Sequence, residues 1–235
     1  MTSWFRVSWA HPSAVLLVVQ LLGVLIYPFL SESPVGRSAL SIFSLVVLVL
    51  AVRAVRATPA WTWALWLLGV PTFALTVVEA FQPDNAGVVL ASSLLHAGFY
   101  FYTSYGLIRY MFQDRRVTPD ELFAVGATFT LVAWAFAYVY VATQIVWPGS
   151  FTAAVDPSAQ RTWIELLFLS FTTLTSTGLS DVIPVLPHAR SLVMIEQLAG
   201  LMYVALAISR IVGLTLYREA AVGARLQNRD RQRPV

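Results

Sequence analysis

Runs of about 20 apolar residues recur along this chain, and they constrain it more than any other feature. A bilayer's hydrocarbon core takes about 20 apolar residues per crossing helix. Five runs reach that length on hydropathy, 13–30, 38–56, 60–78, 86–112 and 121–146, and a sixth covers 190–216. Between the fifth and the sixth lies a shorter apolar segment, 162–174, too short to cross. Backbone that enters a membrane without crossing it is tolerated only when buried in protein, so this segment is expected to be re-entrant. Charged residues are 11% of the 235, against about 25% in soluble domains, so lipid must solvate much of the surface. The expected fold class is all-α integral membrane, with six transmembrane helices plus one re-entrant helix and the loop after it.

Every basic residue is Arg, and their placement orients the chain. With the N-terminus inside, 12 of the 15 fall on the cytoplasmic side, among them Arg6, Arg53, Arg56, Arg109, Arg115, Arg116 and Arg210. Only Arg37, Arg161 and Arg190 fall outside. This satisfies the positive-inside rule at almost every loop and leaves both termini cytoplasmic. Trp4, Trp9, Trp61, Trp63, Trp147 and Trp163 sit near the expected interfaces, as membrane tryptophans do. Residues Met1–Arg6 are weakly basic and lack a small-residue cleavage site before a soluble domain, so the first run is read as a retained helix. Thr58-Pro59 and Thr118-Pro119 are placed to start helices, and Pro71 should kink the third span. The net charge of +3 concerns orientation rather than nucleic acid, and the absence of Cys removes disulfides and thiolate metal sites. No cofactor is expected.

The segment that carries chemistry is 161–200. A short apolar helix ends in a Thr/Ser run; a Gly follows, then an Asp, a Pro and a spanning helix. A half-length helix aims its partly negative C-terminal end at the membrane centre, which favours a cation there. Hydroxyls and backbone carbonyls then replace the ion's water, and a Gly lets the backbone point carbonyls inward. One chain supplies one such loop, so a closed pore needs about four copies around an axis.

At these residues the chain resembles the two-transmembrane potassium channel pore family, whose filter reads Thr-Val-Gly-Tyr-Gly-Asp. The matching run is Ser176, Thr177, Gly178, Leu179, Ser180, Asp181, preceded by Phe171, Thr172, Thr173, Leu174 and Thr175 at the pore-helix end. Pro184 and Arg190 fall where the family has a Pro and an Arg, and Gly200 where its inner helix has a hinge Gly. Residues 115–140, beginning Arg-Arg-Val-Thr-Pro-Asp-Glu-Leu, resemble the outer helix of a bacterial branch with four extra spans in front. The resemblance implies a four-helix region at 1–112, a pore domain at 113–216 and a basic cytoplasmic tail at 217–235. Within the pore domain it implies an outer helix 121–146, a pore helix 161–175, a filter 176–181 and an inner helix 190–216. It also implies a homotetramer in a bacterial inner membrane, with permeant potassium coordinated by Thr175, Ser176, Thr177, Gly178, Leu179 and Ser180. Asp181, Glu196 and Thr172 would support the filter, and Gly200 would be a gating hinge.

Two departures stand out. Leu179 replaces the family's aromatic residue and Ser180 its second Gly. Copying the family geometry would force Ser180 to positive φ, at on the order of 1 kcal/mol per subunit. The outer filter is therefore expected to differ. The run Thr-Ser-Thr-Gly-Leu-Ser is similar to the one-glycine pore loops of the Trk/Ktr/HKT potassium transporters, which leaves sodium as a second permeant ion.

Other residues have plainer expectations. Glu196 shares a helix face with Gly200 and is placed to brace the pore helix through Thr172 or Thr173. Glu165 is a favourable charge at a helix N-terminus. Arg53, Arg56 and Arg109 are interface anchors, since a voltage sensor needs several Arg at every third position within a span. His96, one turn from Ser92 and from Tyr100, is expected to make an interhelical hydrogen bond, and His188 to be solvated. Gly200 serves equally as a packing residue. An intramembrane serine hydrolase would need Ser180 and His188 as a dyad, but both lie on one outer loop with no buried acid to orient them, so no enzyme is expected. A non-conducting regulatory subunit is the alternative that the altered filter allows.

Overall fold

The computed structural model describes residues 11–30, 34–56, 62–112 and 119–231. Met1–Arg6, Trp4, Trp9, Thr58-Pro59, Trp61, Arg115, Arg116 and Arg233 lie outside the described residues. Among the described residues seven helices and two short strands follow in order: α1 Pro12–Leu30, α2 Pro34–Arg56, α3 Thr62–Phe81, α4 Ala86–Met111, α5 Pro119–Val146, β1 Phe151–Thr152, α6 Trp163–Leu174, β2 Ile183–Pro184 and α7 Pro187–Arg231. Five stretches are long and apolar enough to cross a membrane among the described residues: Pro12–Leu30, Trp63–Phe81, Ala86–Met111, Asp120–Val146 and Pro187–Arg210. The second expected span, 38–56, falls on α2, whose apolar part there is the shorter Ile42–Val55. The chain is thus a mostly helical, multi-pass membrane protein. Helix α6, at 12 residues, rises about 18 Å and does not cross a core of about 30 Å.

Helix α5 organises the rest. It packs against α1 and α4 on one side and against α6 and α7 on the other. Small residues make this possible: Ala124, Ala127, Ala133, Ala135 and Ala137 are all buried along it. Its first turn is tied to α1, since Asp120 accepts from the Ser13 amide (3.1 Å) and the Ser13 hydroxyl (2.9 Å). That carboxylate satisfies an amide in the first turn of α1, which has no partner within its own helix. Helix α7 runs without a break through Gly200 and past residue 216 to Arg231.

Pro71 lies inside α3, which continues past it to Phe81. The Thr72 hydroxyl returns to the Leu68 carbonyl (2.7 Å) and the Thr76 hydroxyl to the Thr72 carbonyl (2.8 Å). His96 of α4 is buried, with Nδ1 2.9 Å from the Ser92 carbonyl and Nε2 3.2 Å from the Thr76 hydroxyl of α3. Its ring stacks on Tyr138 of α5, with centroids 4.4 Å apart. It therefore knits three helices together.

Candidate ion-coordinating loop

The loop begins with a helix whose two ends are both capped. At the start of α6, Thr162 and Glu165 form a capping box. The Thr162 amide donates to the Glu165 carboxylate (2.6 Å), and the Glu165 amide donates to the Thr162 hydroxyl (3.4 Å). Just upstream, Gln144 of α5 pairs with the Arg161 backbone, donating to its carbonyl (2.8 Å) and accepting from its amide (3.0 Å). The Arg161 guanidinium is buried and donates to the carbonyls of Val155 (3.2 Å), Asp156 (2.5 Å) and Ala159 (3.0 Å) and forms a 3.4 Å pair with Glu165. The sequence placed Arg161 only on the outer side; here it binds the α5–α6 loop together from within.

The C-terminal end of α6 closes in a Schellman motif. The Ser176 amide donates to the Thr173 carbonyl (2.9 Å) and the Thr177 amide to the Thr172 carbonyl (2.9 Å), with Ser176 left-handed at φ 58°. The Gly178 amide also donates to the Thr172 carbonyl (3.1 Å), with Gly178 at φ 67°. Thr172 supports the loop through its backbone oxygen; its own hydroxyl returns to the Leu169 carbonyl (2.9 Å). Positive φ therefore falls at Ser176 and Gly178 and not at Ser180. The reason is local: the helix cap demands a left-handed residue at its exit, and the chain places a Ser there where Gly is usual. The Ser180 hydroxyl instead accepts from the Val182 amide (3.1 Å), closing a small turn.

This pinning has a chemical consequence. The carbonyls of Thr172 and Thr173 are used in the cap, whereas among the described residues no donor reaches the carbonyls of Thr175, Ser176, Thr177, Gly178 or Leu179. Residues 175 to 179 are all exposed, Leu179 at 77%. The Thr175 and Thr177 hydroxyls lie 3.0 Å apart on the same stretch. The result is a short run of backbone and hydroxyl oxygens held in fixed conformation and offered outward from the chain. Asp181 is exposed at its end. From there β2 pairs antiparallel with β1, and the Val185 amide donates to the Ser150 carbonyl (2.8 Å), anchoring the exit of the loop to the α5–α6 connection. The Arg190 guanidinium donates to the Pro184 carbonyl (3.2 Å). His188 stacks on Trp147, with centroids 4.3 Å apart.

Behind the loop, α7 holds α6 at two levels one turn apart. Glu196 is fully buried and accepts from the hydroxyls of Tyr140 on α5 and Ser170 on α6. Ser170 also lies 2.8 Å from the Ala133 carbonyl. The brace therefore runs through Ser170 and not through Thr172 or Thr173. The α6 turn that faces α7 is set by packing register, which residue spacing within α7 alone does not specify. One turn below, Gly200 meets the backbone of α6: a Cβ at this position would lie 2.1 Å from the Leu174 carbonyl oxygen. Gly200 is thus a point of backbone-to-backbone contact directly under the loop, inside a continuous helix. Tyr140 and Ser170 were not singled out from the sequence. The only signal there was that both could meet a buried acid.

The fold and this loop define a helical membrane protein with a half-length helix that presents unpaired oxygens. Residues 126–216 match the family model described as Ion channel. The match covers α5 from Gly126, the loop, α6 and the first part of α7, less than half of the chain. It supports an ion-channel segment of the potassium-channel superfamily and points to a transport protein rather than an enzyme. Searches of curated proteins and of solved structures returned no match.

Proposed function

We propose that the chain forms a homotetrameric, potassium-type cation channel. In this reading residues 175–180 of four copies line one axial path, and the six longer helices of each copy cross the membrane. The observation that carries it is the set of carbonyls from Thr175 to Leu179 without intrachain donors. At membrane depth such oxygens are costly unless something replaces water around them, and a dehydrated cation does so. The exposed face of the inner helix favours self-assembly. Met194, Ile195, Leu198, Leu201 and Met202 are each more than half exposed, and their spacing forms one stripe along α7. Because only the first part of the family's filter pattern is kept, potassium is expected to be favoured over sodium by a smaller margin than in a two-glycine filter. Localisation in a bacterial plasma membrane belongs to the same reading and rests on the resemblance at 115–140, and the cytoplasmic termini rest on the Arg distribution.

The test is ion flux through purified protein in liposomes, with potassium and sodium gradients imposed in turn. Potassium flux above sodium flux, lost in Gly178→Ala, is the expected result. Equal flux of both ions would keep the pore and remove the potassium preference. No flux under any gradient, voltage or pH would overturn the reading in favour of a non-conducting subunit.

A further inference from the structure

A second site lies far from the loop, between α2 and α3. The two helices leave a half-open cavity of about 330 Å³. Taking ~30 Å³ for a group the size of a water, it has room for on the order of ten methylenes. Its floor is formed by the buried Leu48 and Leu65, and its rims by exposed side chains that include Val70 and Phe73. From Leu65 to Phe73 the helix rises about 12 Å, less than half of a core of about 30 Å. The groove therefore fits within one leaflet. At one end, where α2 finishes and α3 begins, stand Trp66 and Arg53, both exposed. Among the described lining residues Arg53 alone is charged.

We infer that this groove binds an anionic phospholipid, one acyl chain lying along Leu48, Leu65, Val70 and Phe73 and the phosphate held by Arg53. A guanidinium matches a phosphate with two parallel hydrogen bonds, which an ammonium cannot do. Trp66 beside it suits the headgroup level, where indole rings concentrate. The headgroup preference follows from what lines the groove. No carboxylate among the described lining residues is present to receive a choline ammonium, so a lipid whose phosphate charge is uncompensated is favoured. By the Arg distribution this is the cytoplasmic leaflet. Helices α2 and α3 are not among the elements that pack closely on α6 or α7, so the site is separate from the ion path. The inference uses the membrane orientation but not ion conduction.

The experiment is native mass spectrometry of the full-length protein in detergent, titrated with phosphatidylglycerol or phosphatidylcholine of identical acyl chains. Wild-type protein should retain phosphatidylglycerol about fivefold better, the size expected of one Arg near an anionic headgroup. Arg53→Gln should abolish that preference, and Arg190→Gln, on the outer side, should leave it intact. Val70→Trp, which fills the groove, should lower retention of both lipids. Equal retention of both lipids by the wild type would overturn the inference, as would a preference that survives Arg53→Gln. Because binding is read without conduction, a failed flux assay and a failed lipid assay point to different errors.

Discussion

Helices α5 and α7 lie side by side in the segment that matches an ion channel, yet they are surrounded very differently. Over half of the crossing part of α5 is buried within the chain (56%), against 17% for α7. Helix α5 is enclosed by α1, α4, α6 and α7, and its alanines let those neighbours approach. Helix α7 touches its own chain along one face, at Glu196, Gly200 and Tyr203, and offers the opposite face to something else. The difference teaches that α5 finds its neighbours within one copy, whereas most of the crossing part of α7 is left exposed by its own chain. In the proposed tetramer the buried face of α7 carries the contacts of the loop, and its exposed apolar stripe would meet a neighbouring copy.

Four tests, each built on one substitution and its comparisons, break or sharpen that contrast, in descending order of expected effect. Glu196→Ala strands the Tyr140 and Ser170 hydroxyls in a buried site. It is expected to cost about 3 kcal/mol in thermal unfolding of purified protein, and Glu196→Gln should recover most of the loss. If Glu196→Ala unfolds like the wild type, α7 does not brace α6. Next, Gly200→Ala drives a methyl onto the Leu174 carbonyl and should cost about 1–3 kcal/mol. Gly98→Ala, in the four-helix region with open space around its Cβ, should be neutral or stabilise by up to ~1 kcal/mol. Similar behaviour at the two glycines would remove the argument for close contact at α7. Third, Ser176→Gly relieves a left-handed Ser and should stabilise by about 1 kcal/mol per subunit, whereas Gly178→Ala should cost about the same and abolish flux. The smallest effect is expected at Arg210. Its guanidinium reaches across from α7 to the Met111 carbonyl at the end of α4 (2.9 Å) and lies over the Phe112 ring. Arg210→Met should cost about 1 kcal/mol. It should change how readily the pore conducts and leave the potassium-to-sodium ratio unchanged, as read from single-channel recordings.

The short apolar segment and the residues flanking it were legible in the sequence because hydropathy reports length directly and because Gly178, Pro184 and Arg190 carry a recognisable spacing. The Schellman cap was less legible. Its signature residue is usually Gly, and here a Ser occupies the left-handed position, so the family pattern points instead to Ser180, four residues later. The partner of Glu196 was missed for another reason. Which turn of one helix faces which turn of another depends on crossing angle and depth, and hydroxyls at Ser170, Thr172 and Thr173 were equally available on composition. Arg161 illustrates the same limit: a charge in an outer loop reads as solvated until the loop is seen to fold its carbonyls around it. The second span, 38–56, is the weakest of the set, because Arg37 and Arg53 bracket a shorter apolar stretch in α2 than the crossing helices have.

The most direct test of the central claim is an experimental structure of the purified protein in thallium, a potassium-sized ion located by its anomalous scattering. The account predicts four copies around one axis, with thallium on that axis level with the carbonyls of Thr175 to Gly178 and the stripe from Met194 to Met202 turned toward a neighbouring copy. Ion density absent from that level, or copies arranged so that the four loops do not converge, would contradict it.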